Sequence, residues 1–233
     1  MEIVKRYLPI IIILLMLITF FASGAHHYTN FQTLAEHHLA LEEWTHAHYL
    51  LAASGFMLIY IGAVAISMPG AVWITLMAGF LFGPFEGTVL VVISATLGAT
   101  LLFLAARTAL GDILEKKAGS FVKKMEKGFQ ENALSYLLFL RLVPLFPFWL
   151  VNIVPAILNV NIRTFMIGTF FGIIPGTFVF VLIGNGLSAI IEAGKRPDLG
   201  IIFNPEILTP LIGLAILSVV PIVYKKMTKK TPE

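Results

Sequence analysis

Long stretches of this chain carry no charged side chain. Trp44–Phe85, Thr164–Ile191 and Ile207–Tyr224 are free of Asp, Glu, Lys and Arg. About 18 such residues are enough to span a membrane as a helix, and no other feature limits the fold as strongly. The composition agrees: 58% of residues are hydrophobic and 12% charged, against about half and about a quarter in a soluble domain. The chain therefore reads as an all-α, polytopic helical membrane protein. Alternating segments of the kind a membrane β-barrel needs are too few. With no cysteine, disulfides, thiolate catalysis and Cys-type metal or cluster sites are excluded.

The charge is distributed unevenly. Lys5 and Arg6 precede the first apolar stretch, Arg107, Lys116, Lys117, Lys123, Lys124 and Lys127 cluster centrally, and Lys225, Lys226, Lys229 and Lys230 lie near the end. The positive-inside rule puts all three groups, and so both termini, in the cytoplasm of a plasma (inner) membrane protein. Ser23–Tyr49 has no Lys or Arg and belongs outside. The first stretch, Leu8–Ala22, is expected to be an uncleaved span that crosses outward; a signal peptide cut near Ser23 and Ala25 is the alternative.

Counting crossings then shapes the rest. Helix Thr88–Ala106 ends at the basic centre, so it starts outside. The block Tyr49–Gly83 must leave from outside and return there, yet it is short for two crossings and is broken by Pro69 and Gly70. A re-entrant hairpin fits. The block Leu134–Gly172, interrupted by Pro144, Pro147, Asn152, Pro155 and Asn159, reads as a second hairpin entered from the cytoplasm. Thr177–Ala193 then crosses outward, with Thr164–Gly186 as an alternative placement, and Ile207–Tyr224 crosses back. Lys195 and Arg196 fall outside in this scheme and are its exception.

A ten-residue phrase occurs twice, as GFLFGPFEGT at Gly79–Thr88 and GTFFGIIPGT at Gly168–Thr177. Gly79, Phe82, Gly83, Gly87 and Thr88 fall on Gly168, Phe171, Gly172, Gly176 and Thr177. Both copies are expected to be joints between a hairpin and a crossing helix, in an inverted-topology repeat. Pro175 takes the place of Glu86 in the second copy. Glycines also allow close helix contact in lipid, whatever the symmetry.

Two opposed hairpins would enclose irregular backbone and aim helix N-termini at an anion. Arg141 is the sharpest residue, because no other charge lies between Asn132 and Ile162. An intramembrane arginine faces a cavity or a partner by default and suits phosphate; snorkelling to the interface is its alternative. Arg163 and Asn152 are further substrate-binding candidates. Glu86, at the outer mouth, is a proton-coupling candidate or a wetted loop end. The hairpin and hinge residues are Pro69, Gly70, Gly83, Gly87, Pro144, Pro147, Pro155, Gly172, Pro175 and Gly176. His26, His27, His37, His38, His46 and His48 lie outside with Glu36, Glu42 and Glu43 interleaved; their spacing matches no metal-ligand pattern, and no metal or cofactor is expected.

The run R-L-x-P-x-x-P-F-x-x-x-N from Arg141 to Asn152, G-x-x-P-G-T downstream, and L-F-G-P-x-x-G-T with G-A-T upstream resemble the VTT-domain family. Its members, also called SNARE-associated Golgi proteins, belong to the DedA superfamily. The resemblance covers Tyr49–Gly186. It implies two opposed re-entrant hairpins and a translocator of phospholipid or polyprenyl phosphate, with Arg141 and Pro144 as the R-x-x-P pair. A proton gradient is implicated in some members. Ala71 and Pro147 stand where the lipid-carrier branch has an acidic residue and a second arginine.

The chain is thus expected to move an anionic lipid between leaflets, with proton-coupled transport of a small solute or ion, or a non-transporting membrane organiser, as alternatives. It carries no signature of an intramembrane enzyme. Residues 1–48 form the first span and the histidine-rich segment, 49–193 the core, and 194–233 the last span and basic tail. Membrane lipids are the expected partners, nucleic acid is not, and a homo-oligomer is allowed.

Overall fold

The computed structural model describes residues 2–22, 40–117, 120–187 and 197–228. Four of the six histidines, together with Lys195 and Arg196, lie outside these residues. Every regular element described is helical. In order they are α1 (Glu2–Ala22), α2 (Ala40–Ala47), α3 (Tyr49–Ala65), α4 (Ala71–Lys117), α5 (Ser120–Leu142), α6 (Phe148–Ile157), α7 (Ile162–Asn185), a 3-10 turn (Leu199–Phe203) and α8 (Pro205–Thr228). Ala71–Ala109, Ile162–Asn185 and Pro205–Val223 are each long and apolar enough to cross a membrane.

Proline and glycine divide these helices further. Gly83, at φ 75° and ψ 179°, breaks α4 into residues 71–82 (α4a) and 84–117 (α4b). That conformation is open to glycine almost alone, and Pro84 then supplies the fixed φ of a first helical turn. The bend is sharp. A Cβ on Gly87 would lie 2.6 Å from the Ala78 carbonyl, although nine residues of straight helix would separate the two by about 13 Å. Asn132, at φ −140°, breaks α5 into residues 120–131 and 133–142 (α5b). Nothing lies within 4 Å of a Cβ at Gly83, so Gly83→Ala carries a conformational penalty without a clash. We expect it to lower stability by about 1–3 kcal/mol, read as a lower unfolding midpoint in detergent.

Two hairpins result. The first pairs α3 with α4a around Ile66–Gly70, where Ser67 and Gly70 have positive φ. Tyr60 Oη and Thr75 Oγ1 clasp its limbs at 2.8 Å. The second pairs α5b with α6 around Val143–Pro147. Pro144 disfavours helix at Val143, so α5 ends at Leu142, and Pro147 is the extended residue that precedes α6. With 10 residues each, α5b and α6 are about 15 Å long, half of a roughly 30 Å hydrocarbon layer.

Each hairpin leads into a long helix that runs parallel to its first limb. Tyr49 meets Glu86 and Gly98 packs on Ile61, so α3 runs with α4b. Gly168 packs on Leu137 and Gly172 on Arg141, so α5b runs with α7. The two long helices oppose each other, with Phe85 near Phe178 and Phe103 stacked on Phe165 at 4.4 Å.

This arrangement corrects two expectations. The crossing helix after the second hairpin begins at Ile162, close to the alternative placement at Thr164 and ahead of Thr177. The second copy of the repeated phrase therefore lies inside the unbroken helix α7, and Gly172, Pro175 and Gly176 form no joint. Gly172 serves close packing instead: its Cβ would fall 2.7 Å from Arg141 Cβ. The hairpin tips themselves are 78 residues apart, at Pro69 and Pro147, as are the helix starts at Pro84 and Ile162.

The interior is built from small and aromatic side chains, among them Ala52, Ala63, Ala78, Ala99, Ala156, Phe103 and Phe165, while Leu50, Leu58, Ile59, Ile216 and Leu217 are exposed. Small residues inside and leucine outside is the pattern of helices that approach closely in lipid. Buried Thr88, Thr96 and Thr100 return their hydroxyls to carbonyls four residues back, which satisfies them within their own helix.

Candidate functional site

Arg141 sits on the last turn of α5b, beneath the second hairpin's tip. One Nη2 donates to Asn152 Oδ1 on α6 at 2.6 Å and to Thr169 Oγ1 on α7 at 3.0 Å. The guanidinium also lies 5.9 Å from the Phe148 ring and 5.6 Å from that of Phe165. Three elements therefore converge on one cation. On α7 the residues responsible are Phe165, Gly168, Thr169 and Gly172, all buried. Their i, i+3, i+4, i+7 spacing forms one stripe. The two glycines let α5b approach, while the phenylalanine and threonine supply the ring and the hydroxyl.

The cluster is unbalanced. Both hydrogen-bond acceptors are neutral, so no carboxylate of the cluster offsets the guanidinium. Arg141 Nε is buried without a partner, and so is Asn152 Nδ2, in a residue with no exposed surface. Both unused groups are donors. The N-terminal end of α6, where Phe148 touches the guanidinium, adds the partial positive charge of its dipole. An arginine, an amide and a helix N-terminus together call for an acceptor-rich anion, and a phosphate oxygen satisfies all three.

The other sequence candidates lie apart from this cluster. Arg163 is exposed on the first turn of α7, where Asn161 caps the helix by accepting its backbone N–H at 2.9 Å. Glu86 is exposed on the first turn of α4b and accepts a 2.6 Å hydrogen bond from Tyr49 Oη. It is thus part of a clasp between α3 and α4b, on a helix start that favours a carboxylate. Pro155 is buried within α6, and its carbonyl accepts from Val160 N in the turn to α7. Gly176 makes only ordinary contact with Ile202. Thr169, Phe165 and Phe148 were missed by reasoning from the sequence; the four-residue stripe on α7 was the available signal. Among the described residues, no group of three or more His, Asp or Glu side chains is placed to hold a metal ion.

Three apolar helices of crossing length and two broken hairpins, the second carrying the arginine cluster, define a polytopic α-helical membrane protein. The chain belongs to the VTT-domain family of the DedA superfamily, the VTT domain matching residues 68–186. That match runs from the tip of the first hairpin to the end of α7 and contains the whole arginine cluster. The chain is similar to a Dictyostelium discoideum protein described as a transmembrane protein 41 homolog, 33% identical over 193 residues, covering 81% of this chain and 56% of that one. It is also similar to human transmembrane protein 41B, 30% identical over 195 residues, covering 82% of this chain and 64% of that protein. The mouse protein of the same name is 29% identical over the same shares. The chain thus spans less than two thirds of these relatives' length. No solved structure matches it.

Proposed function

We propose that this protein translocates an anionic lipid, of phospholipid or polyprenyl-phosphate type, with the headgroup passing Arg141 between two re-entrant hairpins of an inverted repeat. The observation that carries this reading is the buried guanidinium with two neutral partners and unused donors at both Arg141 Nε and Asn152 Nδ2. Such a group is costly in a membrane interior unless an anion visits it. On this reading the short limbs of the second hairpin, each about 15 Å long, would hold the arginine cluster within the hydrocarbon layer. The opposed long helices suit a mechanism in which one half rocks against the other. With all three basic clusters inside, both termini are cytoplasmic in a plasma-membrane protein. Arg163 would meet the anion at the mouth of the path, and any proton coupling falls to Glu86.

The test is flux. Purified protein in vesicles should move a labelled anionic phospholipid between leaflets faster than protein-free vesicles do. Arg141→Ala should slow it about ten- to a hundredfold, the equivalent of a lost charged hydrogen-bond partner, and Arg141→Lys should restore part of the rate. Wild-type flux in Arg141→Ala would remove the assigned role. Uptake of a soluble anion without lipid movement would move the substrate to the solute class.

A further inference from the structure

A cavity of about 450 Å³ lies at the tip of the first hairpin. It is walled by Tyr60, Met68, Ala71, Thr75, Trp149 and Phe148. The size is within the range of ligand pockets, about 300–1,000 Å³. Its walls are mostly apolar; Ser67 is one of the lining residues, and its Oγ lies just beneath the surface with no hydrogen-bond partner, so a side-chain rotation would be needed to present it to an occupant. Ser67 also holds a positive φ of 51°, which serine rarely adopts. The other hydroxyls of the wall are engaged: Tyr60 with Thr75, and Thr75 with the Ala71 carbonyl.

The cavity adjoins the arginine cluster through one side chain. The Phe148 ring lies 5.9 Å from the guanidinium and also lines the cavity. A molecule that spans both would be anionic at one end and hydrocarbon at the other, with an acceptor oxygen between them. From this juxtaposition we infer that the cavity at the first hairpin's tip binds one acyl chain of an anionic glycerolipid whose phosphate is held at Arg141 and Asn152, with Ser67 donating to the chain's ester carbonyl. The pocket opens to the surface past Pro69, Gly70 and Trp149, so a chain can enter it, and a hydrocarbon occupant covers apolar walls that would otherwise stand open. The inference rests on the anion reading of Arg141 and extends it from the headgroup to the tail. It also gives the two hairpins different tasks: the second holds charge and the first holds hydrocarbon.

The experiment uses the full chain in vesicles with two photoreactive phosphatidylglycerols, one with a diazirine midway along an acyl chain and one with a diazirine on the headgroup. Cross-linked residues are mapped by mass spectrometry. The chain probe should label Tyr60, Met68, Thr75 and Trp149 above the lipid-facing background at Leu58 and Leu217. Ala71→Phe and Val72→Phe, which fill the cavity, should each reduce that labelling at least fivefold while leaving headgroup labelling near Asn152 intact. Ser67→Ala should weaken chain labelling about fivefold, the worth of one ordinary hydrogen bond. Chain labelling at background level in the wild type, with headgroup labelling intact and sensitive to Arg141→Ala, overturns the cavity assignment alone. Headgroup labelling that is insensitive to Arg141→Ala overturns the anion reading on which it rests. A diacylglycerol chain probe, which has the same acyl chains but no phosphate, that labels the cavity as strongly as the phosphatidylglycerol probe overturns the coupling of the two subsites.

Discussion

Alanine at Gly79 or Gly184 should destabilise this protein more than any other single methyl addition to its core. A Cβ on Gly79 would lie 1.9 Å from the Val181 carbonyl oxygen, and one on Gly184 would lie 2.0 Å from that of Leu76. Both obstacles are backbone, so no side-chain rotation relieves them. The helices α4a and α7 must separate, and the α4–α7 contact that joins the two halves opens with them. Overpacking in a core costs typically 1–3 kcal/mol, and a clash with rigid backbone belongs at or above the top of that range. The double variant should cost less than the two singles combined, because a single displacement relieves both clashes. Gly55→Ala and Gly62→Ala are the controls. Nothing lies within 4 Å of either Cβ, and alanine is the better helix former, so these should be neutral or slightly stabilising. Unfolding midpoints in detergent for the four single variants and the double variant decide the matter. A Gly184→Ala midpoint equal to that of Gly62→Ala would show that α4a and α7 do not cross as described.

The same glycines explain why the repeated phrase was a poor guide to symmetry. In lipid, helices approach through glycine wherever they cross, so G-x-x-x-G spacings recur without a common topological role. Gly79 and Gly168 align in sequence, yet one meets α7 and the other meets α5b. The structural relation instead joins Pro69 to Pro147, and Pro84 to Ile162. Prolines carry this information because a hairpin tip requires a missing donor and a fixed φ, which a close crossing does not. Charge was the better signal. Counting crossings between the three basic clusters gave opposed directions for the two long helices, and α4b and α7 run that way. Of the site, Arg141 was legible because a lone cation in an apolar run demands a reason, and Asn152 because it interrupts the same run. Thr169 was not, since a threonine inside an apolar helix bonds its own carbonyl by default, as Thr88, Thr96 and Thr100 do. Only the approach of α5b over Gly168 and Gly172 turns Thr169 into a ligand of Arg141. Tyr49 was hidden likewise: its bond to Glu86 joins residues 37 positions apart, which no local pattern encodes.

Asn152→Asp is expected to abolish anion handling while leaving the protein folded, and that outcome separates the site's charge from its packing. Asn152 Oδ1 already stands 2.6 Å from Arg141 Nη2. A carboxylate of the same shape there would pair with the guanidinium and remove the uncompensated positive charge that an anion needs. Breaking such a buried pair is unfavourable, so a phosphate would have to displace a partner that cannot leave. Lipid flux should fall as far as in Arg141→Ala, about ten- to a hundredfold, with an unfolding midpoint at or above that of the wild type. Asn152→Leu should behave differently. It removes one of the two acceptors of Nη2 and leaves Thr169 alone to hold a buried charge, at a cost of about 1–3 kcal/mol. Its midpoint should drop, while its flux should exceed that of the aspartate variant because the cation stays available. Measured side by side, a variant with intact stability and no flux and a variant with lowered stability and residual flux would identify the unpaired positive charge of Arg141 as the working element. Wild-type flux in Asn152→Asp would rule it out.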